Sequence, residues 1–147
     1  MPITRHAEAI WEGSVREGAG RIALGSGAFD GPYSFHSRFE SAPATNPEEL
    51  IGGAHAGCFS MALAGALGRA GATPDAIHTT AAVTLVPEAG GFTIAQIALR
   101  TRVSASGIDA AKFAEVAEHA KQTCPVSRAL AGVAKITLDA QLVDNVD

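Results

Sequence analysis

The run from Thr45 to Gly71, "TNPEELIGGAHAGCFSMALAGALGRAG", constrains the fold of this chain more than any other stretch. It opens as helices open: Asn46 suits the N-cap, Pro47 the first helical position, and Glu49 completes a capping-box pattern. Glu48 and Glu49 favour the positive end of the helix dipole, and Gly71 followed by Pro74 supplies the stop. Small residues stand on nearly every side, so the pattern predicts a helix enclosed by close neighbours. Leu50 to Gly68 reaches a membrane-spanning length, but it carries His55 and several glycines and lacks the large apolar side chains of a transmembrane helix. It is read as the buried helix of a soluble protein, with no membrane partner.

Around this helix the chain reads mostly as strand. "HAEAIWEG" (6–13) and "RIALGSG" (21–27) are short strands joined by a polar turn. "YSFHSRFES" (33–41) alternates, which predicts a third strand with Tyr33, Phe35 and Phe39 on one face and Arg38 on the other. "IHTTAAVTLVPE" (77–88) and "FTIAQIALRTRVSA" (92–105) flank "AGG" as a long hairpin, with Thr93, Ala95, Ile97, Leu99 and Thr101 sharing a face. Asp109 caps a helix over 110–122 whose apolar stripe is Phe113, Val116, Ala117 and Ala120. Pro125 breaks it at Cys124, "VSRALAG" adds a short helical turn, and "VAKITLDAQLV" (133–143) is a last strand. The order βββ-α-ββ-α-β describes an α+β layer architecture and not a doubly wound sheet. The length of 147 residues suits one domain, 1–147.

The net charge is −4 with no basic run, which argues against nucleic acid as a partner. The first residues, "MPITRHAEAIWEG", show no secretory h-region, so the expected compartment is the reducing cytoplasm. Two cysteines, Cys58 and Cys124, cannot make a disulfide scaffold.

Those cysteines admit two readings. Free cysteine often simply fills space, and Cys58 between Gly57 and Phe59 suits packing. Alternatively, "TCPV" puts the Cys124 thiol between a helix end and a helix start, where backbone N–H groups stabilise a thiolate. One cysteine on a rigid helix and one at a junction is the arrangement a peroxidatic and resolving pair requires. His55 lies three residues before Cys58, on the same helix face, either as a hydrogen-bonded core histidine or as a polar group tuning the thiol. The other histidines show no ligand spacing, so a metal site is disfavoured.

"SRFE", "TNPEELIGGAHAGCFSMALAGALGRAG" and "CPVS" together resemble the osmotically inducible protein C (OsmC) branch of the OsmC/Ohr hydroperoxide-reductase family, along nearly the whole chain. The resemblance implies an OsmC-like fold in an intertwined homodimer, with long central helices packed between β-sheets and active sites at the subunit interface. It implies a thiol peroxidase for organic hydroperoxides, with hydrogen peroxide reduced less or differently. Carried over by motif, Cys58 is the peroxidatic cysteine and Cys124 the resolving one. Arg38 and Glu48 match the residues that activate the thiol. A dithiol reductant, for which the resemblance points to dihydrolipoyl groups, closes the cycle with no metal or organic cofactor.

Physical chemistry constrains that site. Lowering a thiol pKa from ~8.5 to about 5.5 requires roughly 4 kcal/mol, far more than an exposed arginine supplies. Arg38 must therefore be desolvated, close to Cys58, and held between the sulfur and a carboxylate. Glu48 and Cys58 are ten residues apart, about 15 Å along one straight helix, so a bend or helix boundary is expected near Gly52 to Ala54. An uninterrupted straight helix would count against this triad and make Glu49, or a carboxylate of another subunit, the candidate. Phe35, Phe39, Phe59 and Met61 are candidates for an apolar channel and equally for ordinary core. The competing functions are a non-catalytic module holding a small hydrophobic ligand and a structural dimer with sealed, inert thiols.

Overall fold

The computed structural model describes residues 1–146. The chain divides into two compact units, Met1–Leu50 and one from Ile51 onward. The elements run β1 (Ala7–Glu12), β2 (Ala19–Leu24), β3 (Asp30–Tyr33), α1 (Phe35–Phe39), α2 (Pro47–Arg69), β4 (Thr73–Glu88), β5 (Gly91–Ser106), α3 (Ala110–Thr123), α4 (Pro125–Ala129) and β6 (Lys135–Leu142). This is the α+β order read from the sequence, with the short helical turn after Pro125 present as α4, α1 added, and the third strand at Asp30–Tyr33.

The first unit is an antiparallel sheet, β1-β2-β3, followed by α1 and the start of α2. Residues 33–41 are not the strand their alternation suggested. β3 ends at Tyr33, and Phe35–Phe39 turn into helix. The reason is local hydrogen bonding, which outcompetes the β-propensity of the aromatic residues. Ser37 N–H donates to Ser34 Oγ (3.1 Å) and Ser34 N–H donates to Ser37 Oγ (2.9 Å), a reciprocal cap. Ser37 Oγ also donates to Thr45 O at 2.8 Å. The turn stacks Phe35 on Phe39 and brings the Arg38 guanidinium 5.3 Å from the Phe39 ring, so Arg38 does not face away from the aromatic side chains. Ser34→Ala is expected to lower stability by about 1 kcal/mol, read as a lower urea midpoint at unchanged slope; an unmoved midpoint would show that the cap does not hold this turn.

The first unit has almost no interior. Its buried residues are Gly31, Ser37, Thr45 and Glu48, none of them a large apolar side chain, and Ile10 on β1 is exposed.

The second unit holds the core. β5 lies between β4, antiparallel, and β6, parallel. Gly90, at φ +89°, makes the tight β4–β5 turn, a conformation that suits glycine. Ile97, Leu99, Thr101 and Val103 are the buried face of β5, the face read from the alternation. Ile97, Leu99 and Val103 share one cluster with Phe59, Leu63 and Leu67 of α2 and with Phe113, Val116, Ala117 and Ala120 of α3, the expected stripe. Buried Thr101 is satisfied by a hydroxyl chain, Ser60 Oγ to Thr79 Oγ1 (2.8 Å) to Thr101 Oγ1 (2.9 Å).

Asn46 caps α2 as expected, with Glu49 N–H donating to Asn46 Oδ1 at 2.8 Å. The Glu49 carboxylate instead accepts from Thr45 Oγ1. The expected boundary at Gly52 to Ala54 does not occur: α2 is one helix from Pro47 to Arg69. Gly52 serves close packing. It is buried, and a Cβ there would lie 3.4 Å from Ala81 O and Val83 Cγ2 of β4. Nor is α2 enclosed on every side. Gly52, His55, Phe59, Leu63, Ala66 and Leu67 form a buried stripe, whereas Gly53, Gly57, Met61, Gly65 and Gly68 form an exposed one. By length and composition α2 is long and apolar enough to cross a membrane, with 33% of its most apolar window buried.

Candidate active site

The second unit brings the two cysteines together. Cys58 sits on α2, partly exposed; Cys124 is fully buried where α3 ends and α4 begins. Both are free thiols, and each acts on the other's ionisation. Pro125 explains the junction: it cannot continue α3 but starts α4 well, leaving Cys124 extended between two helices. The backbone N–H groups of Val126 and Ser127 and the Ser127 hydroxyl favour the Cys124 thiolate.

The electrostatics follow. Burial raises the pKa of Cys124, but the donors from Ser127, Cys58 and Val126 outweigh it, and the net shift is downward. Cys58 goes the other way. Burial pushes it up, the Val126 N–H pulls it down, and its hydrogen bond to Cys124 and the charge there push it up again. No cation is among these influences, so Cys58 still requires one to become a good nucleophile.

His55 is 0% exposed and meets Ser127 Oγ through Nε2 at 2.7 Å, while its Nδ1 has no partner. Burial lowers its pKa, so the ring is neutral. Ser127 is the site residue that sequence reasoning missed. The available signal was a hydroxyl three residues after a cysteine at a helix start, where side chains turn back toward the N-terminus.

In the first unit Arg38 and Glu48 form a fork. Nη2 reaches Oε1 at 2.7 Å, and Nε reaches Oε1 and Oε2 at 3.1 and 3.2 Å. Glu48 is 8% exposed, whereas the Arg38 side chain keeps 38% of its surface open. Glu48, and not Glu49, is thus the carboxylate that Arg38 holds, although α2 is the unbroken helix that was expected to hand the role to Glu49 or to another subunit. Arg38 also lines a cavity of about 230 Å³ with Trp11, Val15, Tyr33, Phe35 and Phe39. Of the four candidates for an apolar channel, Phe35 and Phe39 line this cavity, Phe59 belongs to the core, and Met61 is exposed. Among the described residues no three His, Cys, Asp or Glu side chains cluster as metal ligands.

A buried thiol facing a partly exposed one, on a two-layer α+β scaffold, defines a cysteine-based redox protein by its chemistry. The sequence places it more narrowly: residues 39–139 match the family of OsmC-like proteins, and the chain belongs to that family. It is 50% identical over 143 residues to peroxiredoxin OsmC of Escherichia coli K12 and equally to that of Shigella flexneri, covering 97% of this chain and 99% of each relative. Its fold is similar to that of an organic hydroperoxide resistance protein OsmC from Legionella pneumophila (TM-score 0.75, 22% identity, 95% and 97% of the two chains covered). It is also similar to that of OhrB of Bacillus subtilis (TM-score 0.70, 24% identity, 92% and 98% covered).

Proposed function

We propose that this chain is a thiol peroxidase that reduces organic hydroperoxides to alcohols in defence against oxidative and osmotic stress. The observation that carries this reading is the pair of free, electrostatically coupled cysteines, one reachable and one sealed, in a chain half identical to proteins named peroxiredoxin OsmC. Exposure supports the roles proposed for the two cysteines. Peroxide meets Cys58 first, because Cys124 is fully buried. The Cys58 thiolate attacks the distal peroxide oxygen, the O–O bond breaks, and the alkoxide takes a proton and leaves as alcohol. Cys124 then displaces hydroxide from the Cys58 sulfenic acid, giving a disulfide and water. A dithiol reductant, read as lipoyl-type from the family likeness, returns two electrons.

Arg38 and Glu48 are proposed to activate Cys58 from the partner subunit of a homodimer. Ten residues of unbroken helix, from Glu48 to Cys58, amount to about 15 Å, so the fork is better suited to a thiol other than that of its own helix. Three features support the dimer. The first unit buries no large apolar side chain, α2 leaves a glycine-rich stripe open, and Met61 on that stripe is 79% exposed. Covering Arg38 with a second chain would also supply the desolvation its task demands. Both units then act as one OsmC-like domain, 1–147, in the cytoplasm. The aromatic cavity beside Arg38 is suited to the alkyl group of the hydroperoxide.

The test is intact mass after one equivalent of cumene hydroperoxide without reductant. The wild type is expected to lose two hydrogens, and Cys124→Ser to gain one or more oxygens. No mass change in either protein, with peroxide left unconsumed, would return both sulfurs to the core and leave a ligand-binding module as the reading.

A further inference from the structure

Two contacts tie α2 to the α3–α4 junction, and they are in register. Cys58 meets Cys124; one helical turn before Cys58, His55 meets Ser127, which lies one turn after Cys124. The mechanism above uses only the first contact. The second is fully buried on the His55 side and joins residues 72 positions apart, where a hydrogen bond is electrostatically strong and its loss leaves a polar group stranded.

The partnerless Nδ1 settles the direction of this bond. A buried N–H without an acceptor costs more than a buried lone pair, so the ring proton belongs on Nε2, and His55 donates to Ser127 Oγ. The Ser127 hydroxyl proton is then free to be donated, and Cys124, three residues earlier, is the thiol whose ionisation Ser127 favours.

We propose that His55 is a positioning residue for the resolving cysteine: through His55 Nε2–H to Ser127 Oγ–H to Cys124 Sγ, it fixes the junction at the distance and polarity that disulfide closure needs. The inference rests on the peroxidase reading for its use, but the His55–Ser127 bond that anchors it is a matter of geometry. In closure, Cys124 sulfur attacks the Cys58 sulfenic sulfur. The S–S bond forms, the S–O bond breaks, and the proton lost by Cys124 joins the departing hydroxide as water. Losing the Ser127 hydroxyl beside Cys124 would slow its deprotonation, and losing His55, which holds that hydroxyl, would loosen the junction and lower the fraction of time the sulfurs are aligned. Cys58 is the titratable side chain that acts on Cys124.

The experiment compares wild type, Ser127→Ala, His55→Leu and His55→Gln. Each is mixed with one equivalent of cumene hydroperoxide, quenched over time, and resolved by mass into thiol, sulfenic and disulfide forms. In Ser127→Ala and His55→Leu, closure is expected to slow about tenfold relative to sulfenic acid formation. His55→Gln keeps a side-chain N–H donor and is expected to restore the wild-type ratio. A second readout follows Cys124 alone, by ultraviolet thiolate titration in a Cys58→Ser background. Its midpoint should rise by about one unit in Ser127→Ala and His55→Leu and stay in place in His55→Gln. An unshifted curve in both donor-removing variants overturns the relay, as does a glutamine variant that behaves like the leucine one. A wild type that consumes no peroxide, while the Cys124 shifts are present, sinks the peroxidase reading instead.

Discussion

Mixing a Cys58→Ser protein with an Arg38→Met protein, each inactive by itself, is expected to restore about a quarter of wild-type peroxidase activity once subunits exchange. The two parents fail for different reasons. Cys58→Ser lacks the nucleophile. Arg38→Met keeps it, but burial holds the Cys58 thiol above its ordinary range, and the surroundings within the second unit supply no cation to bring it down. Near neutral pH only about a few per cent of an ordinary thiol is ionised. Losing the arginine removes both the thiolate and the charge that meets the developing alkoxide, a combined loss of roughly a thousandfold. The residual rate should climb with rising pH into the alkaline range, since the nucleophile then forms by titration alone. If Arg38 serves the partner's Cys58, half of the exchanged dimers are mixed, and each mixed dimer contains one complete site of two. If it serves its own chain, every Cys58 in the mixture faces a methionine and activity stays at the level of the parents. That result would remove the cross-subunit reading while leaving the cysteine chemistry intact.

What the sequence disclosed and what it hid follow the range of the interactions involved. The α2 start at Asn46 and Pro47, the β4–β5 hairpin and the α3 stripe are set by neighbours within about a turn or a pleat, and each is where the pattern placed it. Residues 33–41 misled because aromatic alternation and a serine capping pair compete over the same span, and the capping pair prevails through bonds that include a partner at Thr45. The Gly52-Gly53 pair misled because a glycine that admits a neighbouring strand and a glycine that breaks a helix look alike in one dimension. The parallel pairing of β6 with β5 is a long-range fact that no local pattern records.

The site divides along the same line. Cys58, Cys124, Arg38 and Glu48 were singled out through short motifs shared with the family; the structure pairs Arg38 with Glu48 and sets Cys58 to act on Cys124, while their roles remain proposals. The bond from His55 to Ser127 was not legible. It is made across 72 residues, by a serine whose type is common and whose role exists only once α4 has docked beside α2.

Replacing Gly57 by leucine is the sharper trial of the homodimer, because the single chain gives no reason for damage. Gly57 lies on the exposed stripe of α2, and a Cβ added there meets nothing within 4 Å. Leucine is also the better helix former by about 0.8 kcal/mol, so a chain that worked alone would gain stability. If two such helices pack closely in a dimer, the added side chain must instead force them apart, at a cost of several contacts along the stripe. Gly57→Leu is therefore expected to elute as a monomer in size-exclusion chromatography and to lose activity by about a hundredfold or more, since its fork no longer reaches a second thiol. The second unit carries its own core and should keep its helical signal. The first unit, whose sheet buries no large apolar side chain of its own, should become sensitive to protease in the same variant. A dimeric, fully active Gly57→Leu would mean that the stripe faces water, and the cover for β1 and Arg38 would then have to come from another surface.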